Sequence, residues 1–475
     1  MAKQLVVEVP RDMPELAEAF EAMVKAVVEQ CTRARSLGPA EEMVFEAVVS
    51  ERGAAVEVAA HTVTLRALDI DVPALLIGGA LHRRVLRSPG VYKTQAGEAR
   101  FERTLYRKAG DRNAPTVDIV GLRAGVVEDG WLPSTARAMA HYVQQGTSRE
   151  AEKTAQQTGR LPYSRSSFER VAHFVGQRYC GDRDRIELAV AQQEDVPDEA
   201  RSISVSMDRV AVPMEEPRER GPGRPRRGEA KRPVNRVFRM AYVGTVTLHD
   251  KAGEALRTVR YGTMPGGTPE RLAVALADDV LRFLAKSPRL RLMLLCDGAP
   301  EMWNLLEAEF GTDSFGDRVI RKLVDFYHLI EKLAPAAKVI FADDQRKNLA
   351  RWKLSLLNRS DARVDILREL RDSGREHVVL DGERPVHDAI TYLERHHGRM
   401  DYARARALGL PIGSGNVEAT CKSLVNTRMK RAGCRWKIDT GEHIIQLRAL
   451  ALSDRWDHAM ELTLGMPAPR IRRAA

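Results

Sequence analysis

The chain lacks the marks of several specialised classes. Cysteine occurs only five times in 475 residues, as Cys31, Cys180, Cys296, Cys421 and Cys434. That number is odd, the positions are scattered and no two share a metal-finger spacing. A disulfide framework is therefore excluded, a structural zinc is not expected, and the thiols read as reduced. No apolar run approaches the roughly 20 residues that a membrane-spanning helix needs. The opening residues, MAKQLVVEVPRDMPE, have neither the basic region nor the apolar core of a secretory signal. These absences predict a soluble, cytoplasmic protein without a membrane partner.

What is present is length and a mild basic excess. A chain of 475 residues accommodates two to four domains with their own cores. Lys+Arg number 75 against 65 Asp+Glu, a net charge of +10 with a pI near 9.4. The balance favours a polyanion as partner, although charge alone is a weak signal.

Helical spacing of Leu16, Phe20, Met23, Val24, Val27 and Val28, repeated from Pro39 to about Leu68, predicts a helical hairpin, an arm or a plain structural cap. It opens an N-terminal region spanning 1–96. Extended patterning around Tyr92 to Lys108 predicts a small β hairpin. Three short helices follow over Ala136–Gln145, Ser148–Thr158 and Ser164–Arg178, within a second region, 97–200. Hydroxyl residues open the last two, as helix caps do. The trio resembles a helix-turn-helix whose third helix, led by Arg165, enters a DNA groove; an ordinary trihelical unit is the alternative.

From Ile203 the pattern becomes β. Alternation in SISVSMDRVAV sets Ile203, Val205 and Met207 on one face and Ser204, Ser206 and Asp208 on the other. Arg236–His249 and Leu256–Met264 read as the next strands, Thr268–Ala285 as a helix, and the run RLRLMLLC ending at Asp297 as a strand covered on both faces. Acids at strand tips in such sheets face the crevice where ligands bind, and Asp297 can equally cap the helix after it. The β-β-β-α-β order is that of an RNase H-like sheet, in which the first and fourth strands are neighbours, so Asp208 and Asp297 are expected to meet. This core spans 201–326 and includes a Pro/Arg-rich loop at 216–236. The GPGRPRRG of that loop, with Arg224, Arg226 and Arg227, resembles an AT-hook; a flexible segment touching phosphates is the alternative. An all-α insertion is expected over 327–412, and the core closes over 413–475.

In that closing stretch Ser414 can cap a helix whose polar face carries Glu418, Lys422, Asn426 and Lys430 at i+4 steps, with Val417, Cys421, Leu424 and Met429 inward. Gly413 and Gly415 allow close approach of a ligand, and Lys422, Arg428, Lys430, Arg431 and Arg435 supply cations for phosphates. A first-turn Glu418 can also be a mere dipole partner. Asp208, Asp297 and Glu418 together are the oxygen set that a pair of hard divalent cations requires.

The residues Asp208, Leu295-Cys296-Asp297-Gly298-Ala299-Pro300, Asp325-Phe326-Tyr327-His328, and above all Gly413-Ser414-Gly415-Asn416-Val417-Glu418-Ala419 through Arg428-Met429-Lys430-Arg431-Ala432-Gly433-Cys434-Arg435-Trp436, resemble bacterial insertion-sequence transposases of the DDE class. The branch is the ISKra type, related to Mutator-like elements, and the resemblance covers about Ile203 to Asp457. It implies an α/β, RNase H-like catalytic core with an all-α insertion and a helical, DNA-binding N-terminal region. It also implies two Mg²⁺ ions, with Mn²⁺ able to substitute, held by Asp208, Asp297 and Glu418. Partners would be the element's terminal inverted repeats and target DNA, bound by a homodimer or larger assembly in the bacterial nucleoid. His328 belongs to a motif near the active site, where it would contact the scissile phosphate or shuttle a proton. Trp436 is either a stacking platform for an unpaired base or a core residue. The family has Gly after its first Asp where this chain has Arg209, which leaves Asp250 as a rival to Asp208. An RNase H-fold nuclease such as a junction resolvase, and a transposase-derived regulator without activity, are the competing functions.

Overall fold

The computed structural model describes residues 8–33, 38–217, 234–311, 313–465 and 469–474. Two contact units divide it: 1–186 with 457–475, and 187–456. The first unit begins with the expected hairpin, α1 (Pro14–Arg33) and α2 (Pro39–Arg66). The next strands start earlier than the sequence suggests: β1 (Ala74–Ile77), β2 (Ala80–Lys93), β3 (Glu98–Lys108) and β4 (Val117–Asp118). Strand β2 escapes period-two reading because its register against β3 shifts between Arg84 and Leu86, and its centre, Arg83 to Arg87, is exposed. Helix α3 (Ile119–Arg123) leads to the expected trio, α4 (Pro133–Gln145), α5 (Ser148–Gln157) and α6 (Arg165–Gly181). Thr147 and Glu150 close a capping box on α5, and Ser164 caps α6. Helix α7 (Arg183–Gln193) crosses the boundary between the units.

The second unit is built on β5 (Ser202–Pro217), β6 (Val234–His249), β7 (Ala255–Thr263), β8 (Arg291–Cys296) and β9 (Ile320–Val324), in the order β7-β6-β5-β8-β9. Strands β5 to β7 are antiparallel, while β8 runs parallel to β5 and β9 parallel to β8. The first and fourth strands of the sheet are thus neighbours, as the element order required. Ser204 and Ser206 are as buried as Val205, so β5 is covered on both faces rather than half-polar.

One side of the sheet carries α8 (Pro269–Lys286) and α9 (Pro300–Phe310), whose Leu276, Val280, Met302 and Trp303 pack with Val205, Met207 and Leu294. Met293, Leu295 and Leu323 face the other way, into the insertion. The insertion comprises α10 (Phe326–Phe341), α11 (Gln345–Asn358), α12 (Ala362–Asp372), α13 (Pro385–Arg395) and α14 (Tyr402–Ala407).

The closing helix is not uniform. It runs as α15 (Gly415–Thr420), a π-helical segment over Cys421–Asn426, and α16 (Thr427–Met429). Val417, Cys421, Leu424 and Met429 are buried as their spacing foretold. Gly262 of β7 lets it lie close, since a Cβ there would meet Leu424 and Ile445 at 2.9 and 2.8 Å. Helix α17 (Ile438–Leu452) ends this unit. The chain then returns to the first unit through α18 (Trp456–Leu464) and β10 (Ile471–Arg473), which pairs with β1. Residues 457–475, the C-terminal tail of the last expected segment, thus group with the first unit. No described helix is long and apolar enough to cross a membrane.

Candidate active site

Asp208 lies on β5, one residue beyond Met207, whose backbone N–H points at the Cys296 sulfur 3.3 Å away at the end of β8. Asp297 is the next residue after Cys296. Burial, helped by the charges of Asp297 and Asp208, pushes the Cys296 thiol up to about 12, which keeps it neutral between the two acids. On its other side Asp208 accepts a hydrogen bond from the Cys421 thiol, 3.4 Å from Oδ2. Cys421 follows Glu418 by three residues, one turn along the closing helix. Burial first, then Asp208 and in part Glu418, raise that thiol as well. Asp208, within β5, and Asp297, just past β8, thus share Cys296 as a neighbour, while Asp208 and Glu418 share Cys421.

These acids have few protein partners. Asp208 Oδ1 accepts from the Arg209 backbone at 2.6 Å, and Asp297 Oδ1 from the Ala299 backbone at 2.9 Å. Among the described residues, none of the three acids pairs with a lysine or arginine; Glu418 has only His328, 3.9 Å away. Arg209 is drawn instead to Glu301 at 2.5 Å. The rival Asp250 is a turn-former that accepts from Ala252 and Glu254 backbones at 2.8 and 2.9 Å.

Asp325, at the end of β9, is the opposite case. It is 1% exposed. Its Oδ1 accepts from the His328 backbone at 2.9 Å, and its Oδ2 from both the backbone and the hydroxyl of Ser414, the latter at 2.8 Å. Burial alone would raise this carboxyl, but the donors from His328 and Ser414 outweigh it and hold it at about 2. The His328 ring, 3.4 Å from Asp325, is lifted to about 9 by that carboxylate and so carries a proton at neutral pH. Single donor atoms of Asp325, His328 and Glu418 lie within 4.8 Å of one another. Both Asp325 oxygens accept hydrogen bonds from the protein, which ties the trio together. It is a brace that fixes His328 and the Gly413–Gly415 lead relative to β9. Ser414 therefore serves Asp325, not the helix cap expected of it. The brace borders a cleft of about 690 Å³, lined also by exposed Tyr327, Glu331 and Arg406.

The expected DNA contacts divide. Lys422, Lys430 and Arg435 are exposed, and Arg431 is half-buried. Arg428 is 4% exposed and lies over the Trp436 ring, 4.8 Å from its centre. Trp436 is itself buried, and its indole N–H donates to the Met429 carbonyl at 3.0 Å. Its backbone pairs with Pro213 and Glu215 of β5. Both are corrected from DNA contacts to buried residues: the guanidinium stacks on the indole, whose N–H is taken by Met429. Arg165 is exposed but tied to α5, with its backbone donating to Glu152 at 2.9 Å and its Nε to Ser148 at 3.2 Å. Arg224, Arg226 and Arg227 fall outside the described residues.

Sequence reasoning passed over Asp325 as an acting residue, Cys421 as a partner of Asp208, and Tyr392 and His396 altogether. Asp325 stood within a quoted motif, yet its partner Ser414 is remote in the chain. Only a resemblance could have signalled the brace.

No family model matches the chain, and no curated protein matches it. Among solved structures, the Mos1 transposase paired-end complex with left transposon end is similar at 13% identity, covering 64% of this chain and 83% of that one, with a TM-score of 0.16. A likeness that faint carries no weight for the chemistry.

Proposed function

We propose that the chain is a DNA transposase of the DDE class, with an RNase H-like core that cuts the ends of its element and joins them to target DNA. What supports this reading is that Asp208 and Asp297 both neighbour Cys296 while Asp208 and Glu418 both neighbour Cys421, all three being partly exposed carboxylates with no lysine or arginine ion pair among the described residues. Such an oxygen set fits magnesium: hard donors, uncompensated charge and room for water and phosphate. Mg²⁺ held there would polarise a phosphodiester and activate a water or a DNA 3′-hydroxyl for in-line attack.

The chain's own groups supply the rest. His328, kept protonated by Asp325, would hold a phosphate oxygen or give its proton to the departing oxygen. Asp325 fixes that imidazolium through charge and backbone. Exposed Lys422, Lys430 and Arg435 on and after the closing helix would neutralise backbone phosphates. Cys421 and Cys296, held neutral, keep Asp208 in place without competing for the substrate. Terminal inverted repeats would be gathered with the helical trio α4–α6 of the first unit, and two ends held at once call for at least a dimer on DNA.

The test is Mg²⁺-dependent cleavage of DNA carrying the inverted repeats that flank the reading frame, compared with four-way junctions. Wild-type chain is expected to nick the repeat ends and transfer them, and Asp297→Asn to bind the same DNA without cutting it. Cleavage retained in Asp297→Asn, or confined to junctions, refutes the assignment.

A further inference from the structure

Three unsatisfied polar atoms gather behind one of the proposed metal-holding acids. The Tyr392 hydroxyl, on α13 of the helical insertion, is buried without a hydrogen-bond partner. One turn on, His396 is 1% exposed, and its ring nitrogens make no hydrogen bond of good geometry, the Gly298 backbone being the polar group beside them. The two rings lie 4.7 Å apart, centre to centre. Such orphaned groups are rare in folded proteins and call for an explanation.

Both face the same two residues. A Cβ added to Gly298 would stand 2.4 Å from the edge of the Tyr392 ring and 2.6 Å from its hydroxyl oxygen. Glycine is thus required after Asp297 to admit the phenol. Asp297, then Asp325, are the charges that this hydroxyl faces. The surroundings of His396 include Asp297 and the Gly298 backbone, along with Arg399 and Arg395. Neighbouring groups are otherwise satisfied: the Trp303 indole donates to the Asp297 carbonyl at 2.7 Å, and Arg399 is paired with Glu307 at 2.7 Å. Tyr392 also packs against both hydrophobic cores of this unit, that of the sheet and that of the insertion.

We infer that Tyr392, backed by His396, is a positioning residue whose unpartnered hydroxyl turns onto the Asp297 carboxylate when a divalent cation binds there, and so fixes it. The insertion then does more than fill space: α13 is the rear wall of the Asp297 loop and supplies the donor that the sheet does not. This inference rests on the proposed role of Asp297 as a cation ligand. Groups that orient a metal ligand from behind typically change metal affinity 10–100-fold when lost.

The experiment is calorimetric titration of Mg²⁺ or Mn²⁺ into the full chain without DNA, alongside thermal melting without metal. Tyr392→Phe removes one oxygen and is expected to weaken cation binding about tenfold or more, while the melting temperature without metal stays level or rises, because an unsatisfied hydroxyl has gone. Affinity equal to wild type would overturn the inference and leave the Asp297 assignment standing. Wild-type chain showing no saturable binding that Asp297→Asn removes would instead overturn the assignment, and this inference with it. Should Tyr392→Phe fail to fold, His396→Gln in the same titration decides: weaker binding supports the pair, and unchanged binding refutes it.

Discussion

Asp297 and Asp325 end neighbouring parallel strands, and each leads into a helix, yet they live in different electrostatic circumstances. Asp325 is sealed in, with both oxygens engaged by His328 and Ser414. Asp297 is half-exposed, with a single backbone donor. The difference lies in the surroundings of each strand's carboxyl end. Beyond β9 the acid meets a serine from a remote loop, whereas beyond β8 it is followed by a glycine against which Tyr392 packs, and its carboxylate stays partly exposed. A carboxylate whose lone pairs are spent on the protein organises structure; one left with lone pairs to spare is available to a ligand. The same division separates Arg428 and Trp436, which stack on each other inside, from Lys430 and Arg435, which reach solvent.

Exchange of function between the two acids would break this comparison. Asp297→Asn should leave the fold intact and lower Mg²⁺-dependent cleavage by about a thousandfold, since several kcal/mol of barrier are at stake; single-turnover rates with urea unfolding in parallel would measure both. On the inner side, Trp436→Ala should cost about 3–5 kcal/mol of folding stability with little change in the salt dependence of DNA binding. A retained unfolding midpoint would mean that the indole is not the core residue described. Asp325→Asn is expected to destabilise by about 2–3 kcal/mol, because the new amide presents a donor to donors.

Acid should sharpen the contrast. The folded carboxyl of Asp325 sits at about 2, below its ordinary value of 3.8, so its contribution to stability is complete above about pH 4 and disappears as pH falls towards 2. Denaturant midpoints across that range should drop by about 1–2 kcal/mol more in wild type than in Asp325→Asn. The smallest effect belongs to the outer cations. Lys430→Ala should change stability by no more than about 0.5 kcal/mol and reduce the slope of log affinity against log salt by about one.

Strands β5 and β8 were legible in sequence because alternation marks the first and a fully apolar run the second, which also puts Asp297 at the end of β8; Asp208 instead lies within β5, which continues to Pro217. Glu418 was legible because the Gly-Ser-Gly lead and the inward spacing of Val417, Cys421, Leu424 and Met429 fix which way the helix faces. The saturation of Asp325 was not, since it depends on Ser414, which no local pattern links to it. Strand β2 was hidden by its bulge and by Pro89-Gly90, which reads as a breaker although the strand continues through it. For Trp436, periodicity cannot say whether an indole among cations stacks inward on Arg428 or outward on a base.

The π-helical segment at Cys421–Asn426 acts as a phase shifter between the two ends of the closing helix. An α-helix advances about 100° per residue, and a π segment stores one residue more than the regular spiral needs. Winding those same residues as a regular α-helix would swing Glu418 by about that angle relative to Met429, which is anchored beside Trp436. The spectroscopic helix content would scarcely register the change, while the acid would be dialled away from Asp208. The orientation of one side chain is thus stored as an irregularity that begins one turn beyond it, where any change that tightened the winding would reach the acid.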